Sequence, residues 1–187
     1  RGTKFKLKTP WGSSPAATPL LGAHNVANSL AAAGAAGALG VPFDTIVAGL
    51  ASLEGVPGRF ERLDEGQPFQ VVVDYAHTED ALRNALAAAR PLCSGKLICV
   101  FGCGGDRDKT KRPKMASAVA QGADFSVITS DNPRSENPER ILLDIEVGMQ
   151  RAGKTKRSEY EMIVDRREAI RFAIAMARPG DFVLIAG

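Results

Sequence analysis

Histidine and cysteine are too sparse here to build a structural metal centre. The chain has two histidines and three cysteines in 187 residues, and Cys93, Cys99 and Cys103 show neither zinc-ribbon nor Cys-x-x-Cys spacing. Reduced thiols are expected instead. Long apolar runs are also missing: residues 29–50, the most apolar region, are mostly alanine and glycine and are broken by Pro42 and Asp44. That composition makes a poor membrane span, and no signal peptide is expected. Charge of one sign is not in excess either. A net charge of +3, with 24% charged residues, implies neither a nucleic-acid coat nor a polybasic membrane anchor. A cytoplasmic, globular protein with no nucleic-acid or membrane partner is the expectation.

Two glycine patterns are absent where one might look for them. In "FGCGGDRDKTKRPKM" (101–115) a β-type run meets three glycines, and seven of the nine residues from Asp106 to Lys114 are charged. A phosphate loop needs glycine directly before its Lys-Thr pair, and Asp108 precedes Lys109-Thr110. A dinucleotide fingerprint starting at Gly102 and Gly104 needs a third glycine where Arg107 stands. The loop calls for another ligand, or for none.

What is present is alternation. A short strand at 4–8, a loop holding Pro10, Gly12, Pro15 and Pro19, and helices at 24–39 and 42–53 are expected first. "GVPGR" (55–59) reads as a hinge, dividing the chain into domains at 1–57 and 58–187. Beyond it, strands are expected at 60–64, 70–74, 96–101, 125–129, 159–164 and 181–186, and helices at 78–91, 113–121, 138–150 and 166–177. Thr78 reads as a cap, Pro113 and Pro138 as first-turn prolines, and Asp165 with Glu168 as a capping box. Leu82, Ala85, Leu86 and Ala89 form one buried stripe. This pattern predicts a Rossmann-like, three-layer α/β/α domain around a largely parallel sheet.

Open parallel sheets bind ligands at the carboxyl ends of their strands. Three polar loops should gather there: "DYAHTED", "GCGGDRDKTKR" and "SDNPRSEN". Lys109, Lys111, Arg112 and Lys114 crowd a helix N-terminus that is already positive, so a bound anion would relieve them. A solvated basic loop, partly neutralised by Asp106 and Asp108, is the alternative. Arg134 could grip a carboxylate as a two-pronged fork, or be an exposed turn residue. His24, Asn25 and Asn28 share one helix face and could meet a base edge, or merely cap their helix.

Five stretches together, "TPLLGAHNVANSLAA", "VPGRFE", "VVVDYAHTEDALRNAL", "VFGCGGDRDKTKRPKM" and "SDNPRSENPERI", resemble the C-terminal part of the Mur ligase family, MurE type. The resemblance covers nearly the whole chain. It implies an ATP-dependent amide-bond ligase that adds meso-diaminopimelate to UDP-MurNAc-L-Ala-D-Glu through an acyl phosphate. Residues 1–57 would be the end of the central ATPase domain, and 58–187 the Rossmann-like amino-acid domain. By the same resemblance His24, Asn25 and Asn28 lie on the adenine side, and Arg59, Asp74, Tyr75 and His77 meet the nucleotide. Arg107, Asn132 and Arg134 hold diaminopimelate. ATP and Mg2+ would need the family's phosphate loop, metal ligands and carbamylated lysine, all upstream of Arg1.

The chain starts without an initiator methionine and stops one residue short of the family's Lys-Gly-His-Glu. A fragment is therefore expected, monomeric and without catalytic residues of its own. Three other readings stand beside this one: a nicotinamide- or flavin-dependent dehydrogenase domain, a non-catalytic Mur-like protein, and folylpolyglutamate synthase.

Overall fold

The computed structural model describes residues 2–53 and 55–187. The chain divides into two compact units, Arg1–Pro57 and Gly58–Gly187.

The first unit opens with an antiparallel hairpin, β1 (Thr3–Thr9) and β2 (Gly12–Thr18), followed by α1 (Ala23–Ala38) and α2 (Phe43–Ser52). The expected loop at 10–19 is thus a strand, and this corrects the reading from its prolines. Pro15 sits opposite Lys6 in a sheet of only two strands, where a missing N–H costs no interior ladder bond. Gly12 is required for packing: a Cβ there would come within 2.7 Å of the Phe43 ring. Leu7, Ala16, Ala33 and Ile46 form the small core beneath the hairpin.

The second unit holds β3 (Glu61–Leu63), β4 (Gln70–Asp74), α3 (Glu79–Ala89), β5 (Leu97–Phe101), α4 (Lys111–Gly122), β6 (Phe125–Ile128), α5 (Pro138–Arg151), β7 (Tyr160–Met162), α6 (Arg166–Met176) and β8 (Phe182–Ala186). The sheet order is β3-β4-β8-β5-β6-β7, and every pairing is parallel except β3 with β4. β5 and β8 are buried at every residue, as strands covered on both faces must be. One face of the sheet packs Val71, Ile98, Val100, Val183 and Ile185 against Ala169 and Ala173 of α6. The alternate residues, such as Val72, Cys99 and Leu184, point the other way. On that side α3, α4 and α5 lie next to one another.

The expected α3 stripe, Leu82, Ala85, Leu86 and Ala89, is buried throughout. The Thr78 hydroxyl accepts from Ala81 N (3.3 Å) and the Asp165 carboxylate from Glu168 N (2.9 Å), each satisfying a first-turn amide. Asn137 does the same for Arg140 N, with Pro138 in the first turn behind it. α4 starts at Lys111, two residues before the expected 113, and this shift matters for the site.

The α4–α5 contact is closest at Gly148. A Cβ there would overlap the Pro113 carbonyl and lie 2.6 Å from Ala116 Cβ. Gly148→Ala is therefore expected to lower stability by about 1–3 kcal/mol through overpacking. Thermal unfolding of the variant beside the parent chain checks this.

Candidate functional site

β4, β5, β6 and β8 run parallel, so the loops leaving their carboxyl ends share one edge of the sheet. Two of these loops interlock. A Cβ on Gly102 would come within 2.5 Å of Thr129 O, and one on Gly105 would overlap the Pro133 carbonyl. The glycines after β5 thus let one backbone lie directly on another. Gly105 N donates to Asn132 O at 2.8 Å, and Arg134 Nη1 donates back to Gly105 O at 2.6 Å.

Gly104 is the meeting point of the three residues expected to bind an amino acid. A Cβ there would lie 3.0 Å from Arg134 Nη1, 3.7 Å from Asn132 O and 4.0 Å from Arg107 Cγ. Arg107, Asn132 and Arg134 are all exposed residues, so two arginine side chains gather at the surface beside one bare patch of backbone. That arrangement suits an acidic ligand, since each arginine can offer paired N–H donors to a carboxylate.

Arg112 departs from expectation. It was grouped with Lys109, Lys111 and Lys114 as an anion-binding cation, but its side chain is only 2% exposed. Because α4 begins at Lys111, Arg112 falls on the inward stripe with Met115, Ala116 and Val119. Its Nη2 donates to Glu136 Oε1 (2.7 Å) and to Gly104 O (3.3 Å), while Nη1 donates to Asp144 Oδ2 (2.8 Å) and Glu136 Oε2 (3.1 Å). Lys109 also pairs with Glu136, at 3.1 Å. Lys111 and Lys114 remain exposed.

Sequence reasoning passed over Glu136, Ser135 and Asp144. Glu136 accepts from Arg112, from Asp106 N (2.6 Å) and from Lys109, and these donors hold its carboxyl down at about 2. The Asp106 carboxylate accepts from Ser135 Oγ (2.7 Å) and Ser135 N (3.1 Å), which lowers it too. The available signal was Ser135 and Glu136 directly after Arg134, in a chain with a strongly basic loop elsewhere.

The residues expected near a nucleotide form a second group in the 58–187 unit. The Arg59 guanidinium lies 4.8 Å from the Tyr75 ring centroid, and Tyr75 meets the His77 ring edge-on, also at 4.8 Å. His77 Nδ1 is 2.9 Å from Tyr75 O. Asp74 ends β4 and accepts from Phe60 N at 2.8 Å, which anchors the turn carrying Arg59. In the first unit His24 and Asn28 are exposed and Asn25 is buried. Asn25 donates to Leu21 O (2.8 Å) and accepts from Asn28 Nδ2 (3.2 Å), so its amide is spent on the helix start. No group of three or more His, Cys, Asp or Glu able to hold a metal occurs among the described residues. Cys99 and Cys103 are buried, and burial pushes both thiols up to about 12, which leaves them unreactive.

Together these features define an α/β domain whose strand ends gather Arg107 and Arg134 at one edge of a parallel sheet. The family described as Mur ligase, glutamate ligase domain matches residues 58–187, and the chain belongs to the Mur ligases. It is 55% identical over 187 residues to the UDP-N-acetylmuramoyl-L-alanyl-D-glutamate–2,6-diaminopimelate ligase of Bacillus licheniformis, covering all of this chain and 37% of that protein. A solved structure of a ligase of the same name is 43% identical, with a TM-score of 0.66, over 98% of this chain and 37% of the other. Mycobacterium tuberculosis folylpolyglutamate synthase shares the fold, with a TM-score of 0.68 at 21% identity over 98% of this chain and 44% of the other. The chain thus spans well under half the length of the curated relatives it matches.

Glu136 makes the edge acid-sensitive. Its folded value of about 2 lies below the ordinary 4.5, so its stabilising effect is complete above about pH 4.5 and is lost as the pH falls toward 2. Arg112→Met removes the largest cause of the depression. The Glu136 titration midpoint, followed by carboxyl-carbon NMR, is expected to rise toward 4.5 in that variant.

Proposed function

We propose that this chain is the C-terminal part of an ATP-dependent ligase that joins meso-diaminopimelate to UDP-MurNAc-L-Ala-D-Glu in peptidoglycan precursor synthesis. Residues 58–187 serve as the amino-acid-binding domain, and residues 1–57 as the end of the central ATP-binding domain. The observation that carries this reading is the convergence of Arg107, Asn132 and Arg134 around Gly104. It occurs in a chain 55% identical along its length to a protein named as such a ligase.

In this reading ATP activates the D-glutamate carboxyl as an acyl phosphate. The incoming amine attacks that carbonyl, a C–N bond forms, the C–O bond to phosphate breaks, and the amine loses a proton. The residues of this chain supply positioning rather than covalent chemistry. Arg107 and Arg134 hold the diaminopimelate carboxylates so that its amine is presented in one orientation, the kind of restriction that speeds a bimolecular step. Asn132 can both donate and accept toward the same ligand. Arg59, Asp74, Tyr75 and His77 meet the nucleotide, with the Arg59 guanidinium lying over the Tyr75 ring and His77 packed against that ring. Exposed His24 and Asn28 contact the adenine, while Asn25 fixes the helix end that carries them.

The isolated chain is expected to form no product from ATP, UDP-MurNAc-dipeptide and diaminopimelate, and ATP-dependent ligation by it would locate catalysis within these residues. Selectivity offers a sharper test. Meso-diaminopimelate differs from lysine by one carboxylate, and a charge-assisted hydrogen bond contributes about 1.5–3 kcal/mol, a ten-fold preference or more. Arg134→Ala in the full-length ligase is expected to raise the KM for diaminopimelate sharply. The KM values for ATP and the UDP-precursor should stay nearly constant, and poor lysine turnover should change much less. Equal losses for both amino acids would move the role from Arg134 to Lys109 or Lys111.

A further inference from the structure

We propose that Asp106, Ser135 and Glu136 form a clasp that sets the aim of Arg107 and Arg134, so that amino-acid selection depends on side chains outside the ligand's reach. This rests on the reading of Arg107 and Arg134 as the substrate arginines. Its starting point is backbone conformation. Asp106 has φ 52° and Arg134 has φ 49°, the left-handed region that residues other than glycine rarely enter. One of these residues directly precedes the first arginine, and the other is the second arginine. Such conformations persist only where their surroundings over-determine them, and they cluster at ligand-binding sites.

Here the two strained residues are held by each other's loops. The Asp106 carboxylate accepts the N–H and O–H of Ser135, the residue after Arg134. The Glu136 carboxylate accepts the N–H of Asp106, the residue before Arg107. Glu136 in turn is anchored on the buried Arg112 guanidinium. The bonds run in both directions across the gap, so neither arginine can turn its backbone without breaking contacts to the other loop. Arg134 Nη1 is also tied to Gly105 O, which leaves the rest of its guanidinium for a ligand.

Asp106, Arg134 and Ser135 are exposed, so the core does not need their strained geometry. A merely structural turn at position 106 would be improved by glycine, which enters the left-handed region at no steric cost. The clasp makes the opposite demand, because glycine removes the carboxylate that grips Ser135.

The test uses the full-length ligase, with KM measured separately for meso-diaminopimelate, ATP and the UDP-precursor. Asp106→Gly and Ser135→Ala are each expected to raise the diaminopimelate KM, by about ten-fold for Asp106→Gly, with the other two KM values within about two-fold. Asp106→Gly should do so with a thermal midpoint near that of the parent, since glycine relieves the left-handed strain as it removes the bonds to Ser135. The double variant Asp106→Gly with Ser135→Ala should be no worse than Asp106→Gly alone, since the Ser135 hydroxyl acts through the carboxylate that glycine has already removed. An unchanged diaminopimelate KM in folded Asp106→Gly and Ser135→Ala overturns the clasp. If the parent ligase prefers another amino acid, the diaminopimelate reading fails, and the same comparison made with that amino acid still decides the clasp. Should Asp106→Gly not fold, Ser135→Ala carries the test.

Discussion

A guanidinium buried in a protein must be neutralised where it lies, and Arg112 imposes that condition on the whole carboxyl edge of the sheet. Desolvating a charge is costly unless it is paired and hydrogen-bonded. Arg112 meets the requirement with groups from three places: Glu136 in the loop after β6, Asp144 on α5, and the Gly104 carbonyl in the loop after β5. Its own position is fixed by the start of α4. One side chain thereby ties two helices to two loops. The glycines at 102 and 105 complete the arrangement by letting those loops touch backbone to backbone.

This explains why a strand, glycine turn and basic helix start can look like a phosphate site and be built for something else. In a phosphate loop the glycines free amides to surround an anion. Here the Gly105 amide is already bonded to Asn132 O, and the bulk removed at Gly102 and Gly105 is filled by residues 129–133. The charges divide as well. Arg112 and Glu136 satisfy each other inside, and Asp106 is turned toward Ser135. Arg107 and Arg134 are left at the surface beside Gly104.

Local pattern was enough for most of the architecture. β5 and β8 are unbroken apolar runs, the α3 stripe has helical spacing, and Thr78 and Asp165 stand where caps belong, so each element could be read from its own residues. β2 could not, because Pro15 and Gly12 signal a turn, and only the long-range pairing with β1 reveals a strand. Arg112 was misread for a related reason. A two-residue shift in the start of α4 turns that position from solvent to interior, and helix starts are the least legible part of a sequence. The meeting of Arg107, Asn132 and Arg134 was foreseeable in kind, from strand ends on a shared edge. The details, Glu136 and Ser135 above all, depend on contacts across about thirty residues that no local spacing encodes.

β8 follows the other seven strands in the sequence yet lies between β4 and β5 in the sheet. Until it is in place, β3 with β4 and β5 with β6 and β7 are separate pieces, each with an open edge of unpaired backbone groups facing the gap. During synthesis from the N-terminus these edges wait for β8 to arrive. The two halves of the sheet are therefore joined in one step, dominated by contacts far apart in sequence, the kind of topology that folds slowly. For that interval two sticky edges flank a slot of one strand's width, and the fit of "FVLIA" into it decides between a finished sheet and association with a neighbouring chain.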